Sequence, residues 1–137
     1  MRVILDTNVL VSSLIVSESR PHELYEAWRA GMYELVTCEE QFREFRGVTR
    51  HEKVRPYISA AHAGTLLNEL RRLAVQVRKL PRVEISRDPG DDYLLALAQA
   101  SHADYLVTGD KTGLLALGRH GKTRIVTARR LAGMIRR

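Results

Sequence analysis

Residues 1–13 read MRVILDTNVLVSS. Val3, Ile4 and Leu5 form a short apolar run rich in β-branched residues, the pattern of a buried strand. Asp6 ends that run, and Thr7 and Asn8 follow at once. Beyond them, Val9, Leu10, Leu14 and Ile15 fall near helical spacing, which predicts a helix over 7–16. A buried strand passing straight into a helix opens a βα unit. It also leaves a carboxylate at the strand's end with no cation beside it, and that acid calls for an explanation.

The same alternation continues along the chain. Pro21 and Gly31 bracket a helix over 19–31. Residues 33–37 (YELVT) form a second strand, and 38–48 (CEEQFREFRGV) a helix with Phe42 and Phe45 on one face. Leu66, Leu67, Leu70 and Leu73 are in register along a longer helix over 55–77. Residues 82–86 (RVEIS) make a weak third strand. Asp88 as cap and Pro89 in the first turn start a helix over 88–103. Residues 104–110 (DYLVTGD) give a fourth strand, 111–118 a short helix, 123–128 a fifth strand, and 128–137 a closing basic helix. Strands alternating with helices imply a parallel sheet covered on both faces, with right-handed crossovers. The expected fold is therefore α/β, three layers (α/β/α) around a central parallel five-stranded sheet, in a single domain over 1–137.

Bulk properties agree. The chain has 137 residues, 45% of them hydrophobic, enough for one packed core. No apolar run approaches the roughly 18 residues that span a bilayer, so no membrane is expected. Strand-like residues from position 3 leave no room for a signal peptide, and the lone Cys38 cannot form an internal disulfide. Both point to a reduced, cytoplasmic setting. The net charge is +6, with 22 Lys and Arg against 16 Asp and Glu. A pI near 9.9 is one footprint of nucleic-acid binding.

In open α/β sheets ligands sit at the carboxyl ends of the strands. Asp6 follows the first strand, Glu44 lies in the helix after the second, Asp91 and Asp92 start the helix after the third, and Asp110 follows the fourth. The topology can thus deliver carboxylates from distant segments to one sheet edge. Each has a plainer reading: Asp6 and Asp110 as caps or turn residues, Asp91 as a dipole-facing first-turn acid, Glu44 on a solvated helix face. Asp91 and Asp92 point roughly 100° apart on a helix, so one ion would not take both. Clustered carboxylates repel unless a cation joins them, and oxygen-only donors select a hard ion, Mg²⁺ or Mn²⁺. One such ion, or two about 3.5–4 Å apart, would serve phosphodiester hydrolysis.

Other chemistries fit less well. His22, His51, His62, His102 and His120 share no metal-ligand spacing, which argues against zinc. GDKTG at 109–113 lacks the length and ending of a P-loop. Ser12 and Ser13 lack the strand–turn setting of a nucleophile elbow. An aspartyl-phosphate phosphoryl-transfer domain is the rival enzyme class. The phosphatase form wants an Asp where Asn8 stands. A non-catalytic RNA- or protein-binding module is the third class, although such a site would usually have lost an acid.

Taken together, VILDTNVLVSSLI (3–15), CEEQFREFRGV (38–48), DPGDDYLLALAQASHADYLVTGD (88–110) and IVTARRL (125–131) resemble a PIN domain over essentially the whole chain. Within that family the chain is most similar to the VapC-like toxin branch of toxin–antitoxin pairs. The resemblance implies a metal-dependent ribonuclease that cleaves RNA through Mg²⁺ or Mn²⁺. It maps the acidic quartet onto Asp6, Glu44, Asp91 and Asp110. Asp91 is preferred to Asp92 because the family places this acid seven residues before a helical Ala, which Ala98 supplies. Asn8, Thr108 and Asp92 take supporting positions. Thr112 stands where the branch often has another acid, and Gly47 where it usually continues a Leu-rich helix. The resemblance further implies an RNA substrate, a cognate antitoxin protein and a homodimer, with the helices around Leu14, Tyr25 and Trp28 as one partner surface. Arg50, Arg55, Arg119, Lys122 and Arg124 are the basic residues expected to contact flanking RNA phosphates.

Overall fold

The computed structural model describes residues 1–86 and 88–136. Six strands form one sheet: β1 (Arg2–Leu5), β2 (Glu34–Cys38), β3 (Val75–Val77), β4 (Tyr105–Val107), β5 (Arg119–His120) and β6 (Thr123–Val126). Their order is β3-β2-β1-β4-β6-β5, parallel throughout except for the antiparallel pair β5–β6. The sheet therefore has six strands rather than five. The addition is a two-residue strand folded back on β6 through Gly121, whose φ of 57° suits glycine.

The chain winds outward from β1 through β2 to β3, then returns to place β4 on the other side of β1. The sheet's direction of growth thus reverses between β1 and β4. Register holds the reversal together: Val3 pairs with Tyr105, Ile4 with Leu106 and Leu5 with Val107.

Side-chain alternation explains the two covered faces. Val3, Leu5, Leu35, Val107 and Val126 join one core, and Ile4, Val36, Cys38, Leu106 and Ile125 join the other. The first core packs under α1 (Thr7–Ile15), α2 (Arg20–Arg29), α3 (Glu39–Arg50), α4 (Ala60–Leu73) and α7 (Ala128–Ile135). The second packs under α5 (Asp92–Ser101) and α6 (Leu114–Leu117). Hydroxyl caps start three of these helices. Ser19, Ser59 and Thr127 accept from the backbone N–H of His22, His62 and Arg130 at 3.2, 3.1 and 3.2 Å. Among the described residues no helix is long and apolar enough to cross a membrane.

Three expectations change. The third strand is Val75–Val77, not 82–86. The long helix starts at Ala60 and stops at Leu73, and the next extended residues already meet β2: Val36 pairs with Val75 and Cys38 with Val77. Two β-branched residues satisfy that edge. The 82–86 segment lies outside the sheet, with Ile85 55% exposed. Second, Trp28 is 6% exposed and belongs to the first core, while the Tyr25 hydroxyl donates to buried Glu69 at 2.6 Å. Trp28 is thus used within the chain, while Leu14 and Tyr25 are half-buried against the same core. Third, α3 continues through Gly47 to Arg50. The closing helix runs to Ile135, and its expected last residue, Arg137, lies outside the described residues.

Gly47 is exposed inside α3, with open space where a Cβ would stand. Gly47→Ala removes backbone freedom from the unfolded chain at no steric cost, for about 0.5–1 kcal/mol of stability. Thermal melts should rise by roughly 1–4 °C; an unchanged or lower Tm would mean that α3 is not a continuous helix there.

Candidate active site

The reversal between β1 and β4 is where open α/β sheets bind ligands. Asp6 stands at the carboxyl end of β1 and is 7% exposed. Its backbone N–H donates to the Val107 carbonyl at 2.9 Å, extending the β1–β4 ladder by one bond. Its carbonyl accepts from Val9 and Leu10, so Asp6 is also the cap of α1. The carboxylate is held twice: Thr108 Oγ1 donates to Oδ2 at 2.7 Å, and the Asn8 N–H reaches Oδ1 at 3.4 Å. Burial raises the Asp6 pKa above the usual carboxylate value, with the Thr108 and Asn8 hydrogen bonds opposing it and the charge of Glu44 adding to it.

Beyond β4, Thr108 and Gly109 lead to Asp110. The Asp110 N–H donates to Thr108 Oγ1 at 3.1 Å, so one hydroxyl links both strand-end acids. Asp110 also accepts from the N–H groups of Gly113 and Leu114 at 3.1 and 3.4 Å, and from Thr112 Oγ1 at 3.4 Å. It therefore works as a turn acid as well as a member of the edge. A Cβ at Gly113 would lie 2.0 Å from Asp110 Oδ2, so glycine lets the turn close over the carboxylate.

Asp88 accepts from the Gly90 N–H at 2.9 Å and begins a 3-10 turn over Pro89–Asp91 that leads into α5. Asp91 sits at that junction. Its pKa rises to about 6, first through burial, then through the charges of Asp6, Asp88, Asp110 and Glu44. The three other predicted acids thus all bear on Asp91. Among the described residues no hydrogen bond reaches its carboxylate, whereas Asp92 turns away to accept from the N–H groups of Ile85 and Ser86 at 3.2 and 2.8 Å. Asp92 supports the loop that enters the site rather than the acids themselves.

Glu44 reaches the edge from α3, where Oε1 accepts from the Tyr93 hydroxyl at 2.6 Å. Tyr93 O also lies 3.1 Å from Thr7 Oγ1. Sequence reasoning missed Tyr93. The available signal was a polar aromatic two residues after Asp91, at the head of an otherwise apolar helix.

The basic candidates divide. Arg119, Lys122 and Arg124 stand at the opposite edge of the sheet. Arg124 pairs with Tyr105 at the amino end of β4, Arg119 pairs with Arg124, and Lys122 makes an ion pair with Asp104 at 3.5 Å. Strand direction is the reason: these residues lie in β5, in the β5–β6 turn and at the start of β6, whereas the acids Asp6 and Asp110 follow the strand ends. Arg50 and Arg55 line a groove of about 580 Å³ between α3 and α4, walled by Phe45, Ile58 and Leu67. Arg50 lies about 9 Å beyond Glu44 along the α3 axis.

The donors are all oxygens. Among the described residues no ion pair involves Asp6, Glu44, Asp91 or Asp110. Among the described residues, too, no group of three or more Asp, Glu, His or Cys side chains is placed to hold a metal ion. Like charges keep apart, and Mg²⁺ asks for only one or two carboxylates beside its waters. The donor set therefore fits a hard divalent cation. Asp6, Asp91, Asp110 and Glu44 are the oxygen donors such an ion would draw on, although no three of the described acids are grouped to hold it together.

The sheet thus gathers its acids at the point of reversal, where open α/β sheets bind their ligands. A family model described as PIN domain matches residues 2–112, and the chain belongs to that family. PIN domains are generally nucleases and generally use divalent metal ions. No curated protein matches the chain.

Asp91 carries a pH signature. Its folded-state pKa, about 6, lies above the ordinary 3.8. Its ionisation therefore lowers stability fully above about 6, and the penalty fades as pH falls towards 3.8. In EDTA, Asp91→Asn should melt above the parent at neutral pH, with the gap closing at about pH 4. Equal melting at both pH values would show that Asp91 is not strained by its neighbours.

Proposed function

We propose that the chain is a Mg²⁺- or Mn²⁺-dependent endoribonuclease, acting as the toxin of a toxin–antitoxin pair. The observation that carries the nuclease reading is the uncompensated acidic edge in a chain of net charge +6. Such an edge is costly to a fold unless a cation completes it. When bound, the ion supplies charge neutralisation at the phosphodiester and makes a water more acidic. The chain's own residues do the rest. Asp6 and Asp110 are fixed relative to each other by Thr108. Asp91, free of hydrogen bonds among the described residues, is able to adjust to the ion. Glu44 would hold the ion, directly or through water, or orient the attacking water.

Flanking phosphates need cations at this same edge. Lys111 follows Asp110 directly, and Arg129 and Arg130 stand in the first turn of α7, just after β6 ends. These replace Arg119, Lys122 and Arg124 as contacts, while Arg50 and Arg55 offer a path along α3. The toxin role, a cognate antitoxin and a homodimer follow from the motif resemblance, and a cytoplasmic setting from the lone Cys38; all belong to this proposal.

The test is cleavage of end-labelled single-stranded RNA with Mg²⁺ or Mn²⁺. EDTA should abolish cutting, and Asp6→Asn should reduce it about 100-fold or more, the scale on which lost electrostatic contacts act. Binding should weaken steeply with salt. Cutting that survives both EDTA and Asp6→Asn would overturn the proposal, and RNA binding without cleavage by folded, metal-loaded protein would make the chain a binding module.

A further inference from the structure

We infer that Tyr93 is a positioning residue for Glu44, and that the pair Thr7–Tyr93 sets which carboxylate oxygen Glu44 presents to a cation. The inference rests on reading the acidic edge as a divalent cation site.

The hydrogen-bond directions can be assigned. An ionised carboxylate only accepts, so the Tyr93 hydroxyl donates its one proton to Glu44 Oε1 at 2.6 Å. The Thr7 hydroxyl, 3.1 Å from the Tyr93 oxygen, is then the donor to it. The result is a directed relay from Thr7 through Tyr93 to Glu44, joining the first turn of α1, the first turn of α5 and the middle of α3. Among the described residues no other side chain bonds Glu44, and its Oε2 is left without a donor.

The chemistry of the donor matters. An Arg or Lys in place of Tyr93 would hold Glu44 equally well, yet would cancel the charge a cation needs. A phenol orients the carboxylate and leaves that charge intact. Thr108 treats Asp6 in the same way, with a neutral hydroxyl at 2.7 Å. Two acids on different elements are thus each fixed by a hydroxyl. Outer-shell partners of this sort commonly matter 10–100-fold for metal affinity.

Mn²⁺ affinity measured by isothermal titration tests the inference independently of catalysis. Tyr93→Phe keeps the ring, which packs in the second core, and deletes only the hydroxyl. It should weaken Mn²⁺ binding roughly 10–100-fold, with a Tm in EDTA close to that of the parent. Glu44→Gln should weaken binding as well, and the double variant should bind no worse than Glu44→Gln alone, because Tyr93 acts through Glu44. Unchanged affinity in Tyr93→Phe, or fully additive losses, would overturn the role of Tyr93. Absence of Mn²⁺ binding by the parent would instead overturn the cation reading of the whole edge. Should Tyr93→Phe not fold, Thr7→Val removes the first donor of the relay and carries the same comparison, with a smaller expected loss.

Discussion

The parallel pairing of β1 with β4 is the constraint on which the rest of the molecule depends. These strands are about a hundred residues apart in the chain, yet Val3, Ile4 and Leu5 match Tyr105, Leu106 and Val107 one for one. A one-residue slip would swap Ile4 and Leu5 between the two cores. It would also carry Thr108 out of reach of Asp6. Buried apolar residues on both faces of the sheet therefore enforce, through register, the position of a polar pair at the strand ends.

Charge is distributed unequally over this frame. Elsewhere acids meet bases: Glu69 takes Arg29 at 2.6 Å, Glu39 takes Arg46 and Arg71, and Asp104 takes Lys122. At the carboxyl edge, acids meet hydroxyls and backbone N–H groups. Burial and the charges of its neighbours raise the pKa of Asp91, the kind of perturbation that gathers at functional sites.

Much of this was legible in the sequence. The βα alternation, the hydroxyl and glycine boundaries of the helices, and the edge to which the acids belong all follow from short-range patterns. Asp6 was legible because a carboxylate ending an apolar run breaks the local rule. The third strand was not: Val77 continues the helical register of Leu66, Leu70 and Leu73, and only the vacant edge of β2 decides otherwise. Nor was the placement of Arg124, since composition reports how many charges a chain has and strand direction decides where they go. Tyr93 could not be ranked above other tyrosines, because its role depends on a contact with Glu44 across forty-nine positions.

The reversal between β1 and β4 also has a temporal consequence. The first acid is at residue 6 and the last at residue 110, and the hydroxyl that fixes Asp6 comes just before the latter. The β1–β2–β3 half, with α1 to α4, can collapse early, because its strand pairings are between successive strands. The acidic edge has to wait for β4 to close a long loop against β1. A growing polypeptide that has not yet emerged past Asp110 therefore lacks the assembled site, so the fold itself delays competence until the fourth strand has paired.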